Sequence, residues 1–372
     1  MTKISKDHQN TIEACRYCPM CRHSCPSEFI KYRESDTPRG RAILLYNVYE
    51  SGMEFEPSIV ESIYNCFLCG ACRSWCAGYE LGGYDIPALI QFARRDIVAQ
   101  GKVPVVVEEI RKGLLDNDNP ENLDKNTSYT AGVIENAADV LLLLGPGINF
   151  HHHEIAQAAE QICRHLGVTY TLLQQEPDSG KILDLLGYHD DALDKAHTLV
   201  DRIRRTGCET VVVCDPLVYH GFRTDYKNWD IHLEGITVLH LTEFLANYIY
   251  QGSLRLYPTH HNVTLLDSEF LGRYQGIYEA PRDIIRASAG GNFIEMQWYG
   301  EYMLSSGEAA FTFDEDLFTY GSAMGEKILF QATKVEAVML ITLSATAKRH
   351  IPPNAGIKII DIAEFVAQRM IE

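Results

Sequence analysis

At 372 residues, with 46% hydrophobic and 22% charged side chains, the chain has room for two or three domains and can bury sizeable cores like an ordinary globular protein. Its formal net charge of −17 argues against nucleic acid or anionic lipid as the main partner, because both reward a basic face. The N-terminus, MTKISKDHQNTIEAC, lacks the apolar run of a signal peptide, and no stretch approaches the roughly 18 apolar residues of a membrane span. A soluble cytoplasmic protein is therefore expected, with any membrane association supplied by a partner.

In chain order, the first signal is Cys15-x-x-Cys18-x-x-Cys21-x-x-x-Cys25, followed by Pro26. Next comes Thr37-Pro38-Arg39-Gly40-Arg41, and after it a short helix expected over 41–49. The cysteine spacing then returns as Cys66-x-x-Cys69-x-x-Cys72-x-x-x-Cys76, so eight of the eleven cysteines fall in two matched runs. Three thiolates on one tight turn grip three corners of an iron–sulfur cubane, and the fourth cysteine of each run reaches to the other cluster. Structural zinc wants its ligands grouped as two pairs, and disulfides favour short, loop-rich secreted chains. The spacing therefore predicts two [4Fe–4S] clusters. Forty residues separate Cys25 from Cys66, too many for a compact ferredoxin built on β-turns, and a helix expected over 86–100 points to a helical version. Residues 1–80 carry nine Lys/Arg against ten Asp/Glu, so the acidity lies almost wholly in the remainder.

Residues 113–130 have no apolar period and are rich in Asn and Asp, which reads as a linker. The pattern then turns to alternating strands and helices. Strands are expected at 140–144, 168–173, 210–213 and 236–239, with helices at 154–166, 192–205 and 242–250. A second series has strands at 263–266, 337–342 and 357–360 and helices at 282–289 and 361–370. Such alternation implies largely parallel sheets covered on both faces, and the similar order of the two series suggests an internal repeat.

Other residues carry weaker signals. Cys163 lies beside the apolar stripe of its helix and reads as a core thiol, and Cys208 as incidental. Cys214 ends a buried strand at the sheet edge where α/β ligand sites lie. His151, His152 and His153 are adjacent and point in different directions, which suits a helix-initiating turn better than a metal site. Gly145-Pro146-Gly147 lacks a nucleotide fingerprint. Arg16, Arg22, Arg39, Arg41 and Arg73 lie near the cysteine turns, either as a solvated face or as cations that would raise a cluster's potential. Tyr17 and Trp75 stand beside ligands and read as shields.

The cysteine runs together with Thr37–Arg41 resemble the iron–sulfur subunits of glycolate oxidase, anaerobic glycerol-3-phosphate dehydrogenase, lactate-utilisation enzymes and heterodisulfide reductase. That family joins a helical di-cluster ferredoxin domain to two cysteine-rich CCG modules. The stretch TLLDSEFLGRYQGIYEAPRD at 264–283 looks like the opening of the second module. Against the family pattern, Glu269 replaces the first Cys, Ser305-Ser306-Gly307 replaces Cys-Cys-Gly, and Leu343-Ser-Ala-Thr346 replaces the final Cys pair. In the first module Ile148 and Asp178-Ser179-Gly180 stand at cysteine positions, and only Cys214 remains. One thiol cannot hold a cubane, so no cluster is expected beyond the N-terminal domain.

The resemblance implies a multidomain α+β chain. A helical ferredoxin domain spans 1–112, a linker 113–130, and two degenerate CCG-like α/β modules 131–255 and 256–372. It implies that Cys15, Cys18, Cys21 and Cys76 bind one cluster and Cys66, Cys69, Cys72 and Cys25 the other, with no catalytic residue. The expected role is electron transfer within a multi-subunit oxidoreductase, between a flavin-containing partner and a further acceptor such as a quinone or membrane subunit. The alternative is that the chain itself reduces a quinone or small oxidant in the degenerate modules, at Glu269, Cys214 and Arg273.

Overall fold

The computed structural model describes residues 4–310, 319–354 and 356–371. The N-terminal part is helical, with principal helices Lys6–Cys15, Pro26–Lys31, Pro38–Tyr49, Pro57–Tyr64, Ile86–Ala99 and Val105–Asn117. Four of these begin with a proline in the first turn, where its missing N–H costs nothing. Helix Val105–Asn117 runs into the stretch that reads as linker, and the residues after it form an ordered loop. Buried Asn119 organises that loop, donating to the carbonyls of Asn117 and Leu123 and accepting from the N–H groups of Glu121 and Leu123. Asn-rich composition here marks a loop closed on itself, not a free tether.

Two parallel sheets make up the rest of the chain. The first contains β1 (Val140–Leu143), β2 (Tyr170–Thr171), β3 (Thr210–Val213) and β4 (Thr237–His240) in the order β2-β1-β3-β4. The second contains β5 (Val263–Leu265), β6 (Met339–Thr342) and β7 (Lys358–Asp361) in the order β5-β6-β7. β1 and β6 are buried along their whole length, as parallel strands covered by helices on both faces must be. β2, expected over 168–173, pairs with β1 only at Tyr170 and Thr171.

The repeat is visible in the topology. A parallel bridge from Val263 to Phe293 occupies the place beside β5 that β2 holds beside β1, so the second sheet is the first with its edge reduced to one pairing. The packing is reciprocal as well. Helix His153–His165, which comes after β1, packs on helix Ile362–Ala367 after β7, and helix Leu241–Tyr250, after β4, packs on helix Glu279–Ala289. That exchange is what two copies of one unit make across a pseudo-twofold axis. Both units share one apolar core, from Leu141, Leu143, Ile162 and Val212 to Leu265, Ile284, Ile341 and Phe365.

The helical part does not stand alone. Its core of Ile12, Leu45, Ile63, Leu89, Ile90 and Ile110 continues into Ile182, Leu183 and Leu186 of the first α/β unit and Phe270 of the second. Each fully buried Leu or Ile is worth about 1.5–3 kcal/mol, so this shared core fixes the cysteine turns against both sheets.

Candidate metal centre

The two cysteine runs build the same local structure. In each, a helix delivers the first cysteine: Lys6–Cys15 ends on Cys15, and Pro57–Tyr64 leads into Cys66. A tight turn carries the next two, and the fourth caps a further helix, Cys25 before Pro26–Lys31 and Cys76 before Ala77–Gly82. In the second turn Leu68 and Gly70 both adopt left-handed backbone, with φ of 51° and 73°. At Gly70 a Cβ would also lie 3.2 Å from the Tyr274 ring, so glycine meets two demands there.

The fold brings thiols of the two runs close to one another. Burial, and then the nearby thiols of Cys76 and Cys18, push Cys15 up to about 12. Burial, and then Cys25, Cys15 and Cys76, push Cys21 up to about 12. Cys72 is raised well above the usual thiol range by burial and then by Cys21, Cys69, Cys66 and Cys25. Cys25, Cys66, Cys69 and Cys72 line one pocket with Arg41 and Phe67. Among the described residues no three His, Cys, Asp or Glu side chains close tightly enough to hold a single ion. Crowded thiols resist ionising together unless a cationic centre lies among them. The soft donors, their number and the four-cysteine cavity therefore fit a cubane.

Around the second set the chain places buried cations. Arg41 is 1% exposed and donates to the Ser62 carbonyl at 2.8 Å and to Ser27 Oγ at 2.9 Å, while its Nη1 faces Cys25 Sγ at 3.9 Å. A solvated face is thus the wrong reading for Arg41. The Thr37–Arg41 motif has a local logic. Thr37 Oγ1 accepts from the Gly40 N–H, and a Cβ on Gly40 would fall 1.8 Å from the Glu34 carbonyl. The motif turns the chain closely enough for Arg41 to reach Cys25. Arg94, not anticipated from the sequence, is equally buried and donates to the carbonyls of Leu185, Tyr64 and Cys66 at 2.8, 3.0 and 2.7 Å. An arginine on the apolar face of its helix, between Ala93 and Ile97, is the signal that could have found it. Buried Asp36, also unanticipated, accepts from Arg33, Ser62 and Asn65 and ties the Arg41 segment to the helix before Cys66.

The other arginines sit further out. Arg73 pairs with Asp85 at 2.6 Å and lies over the Tyr274 ring, Arg39 donates to the Arg16 carbonyl, Arg16 covers Tyr46, and Arg22 pairs with Glu28. Trp75 packs against His23, Trp298 and Tyr302. Tyr17 is 72% exposed beside exposed Cys18, so it does not shield its neighbour.

The second α/β unit clamps the second turn. Arg273 donates to the carbonyls of Cys69, Glu301 and Met303, and the Tyr274 hydroxyl donates to the Leu68 carbonyl. Glu269 and Ser305, 36 positions apart, meet. The Glu269 carboxylate accepts from Ser305 Oγ and from the N–H groups of Gly307 at 3.2 Å and Glu308 at 3.1 Å. Burial, and then the adjacent Glu269, push Glu308 well above the usual carboxyl range. In the first unit Ile148 and Cys214 are buried in the apolar core, while Asp178 and Ser179 line a crevice. Glu269 and Arg273 are neighbours, and Cys214 lies in the apolar core that the two units share. Cys163 is a core thiol, Cys208 donates to the Ala138 carbonyl, and His151, His152 and His153 turn to Glu121, Glu154 and the Asn149 carbonyl.

Comparison with known proteins agrees with this geometry. A 4Fe-4S dicluster domain matches residues 11–78, which contain all eight cysteines. A probable membrane-anchored ferredoxin from Chromohalobacter salexigens is 29% identical over 256 residues, 64% of this chain, and the chain spans only 37% of that protein's length. One subunit of the dihydromethanophenazine:CoB–CoM heterodisulfide reductase from Methanosarcina barkeri is 23% identical over 393 residues, covering 96% of this chain and 94% of the relative. A hypothetical protein from Helicobacter pylori shares the fold, with a TM-score of 0.62 at 11% identity over 99% of this chain and 73% of its own. The chain is a two-cluster iron–sulfur protein related to subunits of redox enzymes.

Proposed function

We propose that the chain is the electron-transfer subunit of a multi-subunit oxidoreductase. In this reading Cys15, Cys18, Cys21 and Cys76 hold one [4Fe–4S] cluster, and Cys66, Cys69, Cys72 and Cys25 hold the other. When bound, each cluster takes up or gives one electron at a time. The protein sets where those electrons enter and leave. The observation that carries the reading is the asymmetry of the two thiol sets. Cys18 is exposed between exposed Tyr17 and Met20, whereas Cys25 and Cys69 are buried, and the turn at Cys69 is clamped by the second α/β unit. The Cys18 edge is the proposed contact for a redox partner, with a flavoprotein as the expected class.

The two repeated units, at 131–255 and 256–372, read as CCG-like modules that have lost their thiolates. The Glu269–Ser305 contact supports this, because residues at two of the matched positions converge in space and the carboxylate fills the place between them. Modules stabilised in this way would serve as a docking platform. Among the described residues no helix is long and apolar enough to cross a membrane, so any membrane contact of the complex is assigned to a partner.

A second reading, in which the chain itself reduces a quinone or small oxidant, has one observation in its favour. A pocket between the helical part and both units is lined by Leu68, Arg73, Lys181, His220, Asp225 and Tyr274, next to the Cys69 turn.

Capture of the native complex through a tag on this chain, followed by rapid mixing with the reduced partner, tests the proposal. Reduction in one-electron steps only when the partner is present supports the conduit. Steady turnover of a quinone by the isolated chain supports the second reading and overturns the first.

A further inference from the structure

The first sheet ends in a crevice whose polar groups lack a counterpart. The chain leaves β1 toward β2 on one side and reaches β4 through β3 on the other, so the carboxyl ends of β1 and β3 form a topological switch point. Open parallel sheets bind ligands beyond the strand ends at such a point. A crevice lies there. Gly147, Asp178, Ser179 and Asp215 line it from the first unit, and Thr346 and Arg349 from the second. The strand ends are in close contact at its floor, where a Cβ on Gly145 would lie 2.7 Å from that of Asp215.

The lining is rich in acceptors. Asp178 is 3% exposed; its Oδ1 accepts from the Gly180 N–H at 2.7 Å, and its buried Oδ2 has no hydrogen-bond partner. Burial lowers the His152 pKa and favours its neutral ring; with Nδ1 donating to Glu154 Oε1 at 2.9 Å, Nε2 is then an acceptor, also buried and unpartnered. Asp215 Oδ1 accepts from the N–H groups of Leu217 and Val218, and Glu176 behind it accepts from those of Leu144 and Gly145. The cations nearby are already engaged. Lys195, which acts on Asp178, pairs with Asp118 at 2.6 Å, and Arg349 is held by Glu121. Among the described residues no Lys, Arg or His pairs with Asp178 or Asp215, while Ile182, Leu217 and Val218 supply an apolar wall.

A buried acceptor without a donor costs free energy, and a ligand that supplies donors and positive charge removes that cost. We propose that this crevice binds a small organic ammonium, its N–H donors meeting Asp178 Oδ2, with His152 Nε2 as a second acceptor and the alkyl body against Ile182, Leu217 and Val218. An ammonium offers three donors and no acceptor, the complement of this lining. The donor-bearing Arg349 and His151 of the lining are turned to Glu121. The site is independent of the cysteine turns, so it stands whether the chain is a conduit or a reductase.

The test is calorimetric titration of the full-length protein, purified anaerobically with its clusters, against 1,4-diaminobutane, with uncharged 1,4-butanediol in parallel. Saturable one-to-one binding of the diamine, and none of the diol, is expected. Asp178→Asn keeps the Oδ1 acceptor for Gly180 but removes the charge. It should weaken binding by about tenfold or more, the scale of one charge-assisted hydrogen bond. Exposed Asp201→Asn should leave it unchanged. Thr346→Trp, which obstructs the crevice without touching an acidic residue, should abolish binding at unchanged iron content and decides the matter if Asp178→Asn fails to fold. Absence of saturable diamine binding, equal loss in the Asp178 and Asp201 variants, or full binding by Thr346→Trp would overturn the proposal.

Discussion

Arg94 Nη2 donates to the Cys66 carbonyl at 2.7 Å from the buried face of helix Ile86–Ala99. The same guanidinium also holds the Leu185 and Tyr64 carbonyls, so one side chain joins the second cysteine turn, the helix that delivers it and the first α/β unit. A guanidinium rather than an ammonium is needed, because its planar fork reaches carbonyls in several directions at once. Arg94→Met should leave these buried acceptors unpaired and destabilise the protein by about 2–5 kcal/mol. Thermal unfolding of the cluster-loaded protein measures this, and Arg94→Lys should recover only part of the loss.

The proposed crossed ligation makes a spectroscopic prediction. Cys76→Ala should perturb the same EPR signal as Cys15→Ala, and Cys25→Ala the same signal as Cys66→Ala. If each fourth cysteine served its own run, Cys76→Ala would instead match Cys66→Ala.

Arg41 is the cation best placed to tune the second cluster, being buried with its Nη1 3.9 Å from Cys25 Sγ. Loss of a nearby positive charge disfavours the reduced, more negative state. Arg41→Met should lower that cluster's potential by on the order of 60 mV, the one-electron equivalent of about 1.4 kcal/mol. Redox titration followed by EPR reads the shift, and the signal of the other cluster should hold its midpoint.

Burial, opposed by the N–H groups of Leu144 and Gly145 and reinforced by Asp215 and Asp178, raises Glu176 to about 7. A carboxyl whose folded value lies above its unfolded value stabilises the protonated fold. That contribution is fully present below the unfolded value of about 4.5 and is lost as pH rises through about 7. Stability should therefore decline between about pH 5 and 7 by an amount on the order of 3 kcal/mol from this residue, and Glu176→Gln should flatten that part of the profile. Denaturant unfolding across the pH range is the check.

The Glu269 carboxylate accepts from Ser305, Gly307 and Glu308, so its removal takes an acceptor from three buried donors, of which the Gly307 N–H keeps Ser305 Oγ at 3.2 Å. Glu269→Ala should cost about 2–4 kcal/mol by lost hydrogen bonds and the space left behind, and Glu269→Gln less. Unfolding measurements on the two variants give the difference directly.

Features that depend on spacing are legible in the sequence. The cysteine runs, the Thr37–Arg41 turn and the apolar strands at 140–143 and 210–213 are local patterns whose chemistry or period is fixed by near neighbours. The pairing of Glu269 with Ser305 is approachable only through the resemblance, because no local pattern links positions 36 apart. Arg94 and Asp36 escape sequence reasoning because a charged side chain is compatible with burial only when distant carbonyls or donors meet it, and those partners lie across tertiary contacts. Helix Val105–Asn117 is obscured by the Asn-rich loop after it, and Tyr17 does not shield because sequence adjacency to a ligand does not fix which way a ring points.

The most direct test of the central claim is an iron and sulfide count on anaerobically purified full-length protein, paired with reductive titration by EPR. Two cubanes held by the eight matched cysteines require about eight Fe and eight sulfides per chain, and uptake of two electrons in one-electron steps. About four Fe, or twelve and more, would contradict it, the first by leaving one thiol set empty and the second by placing a cluster in the α/β units.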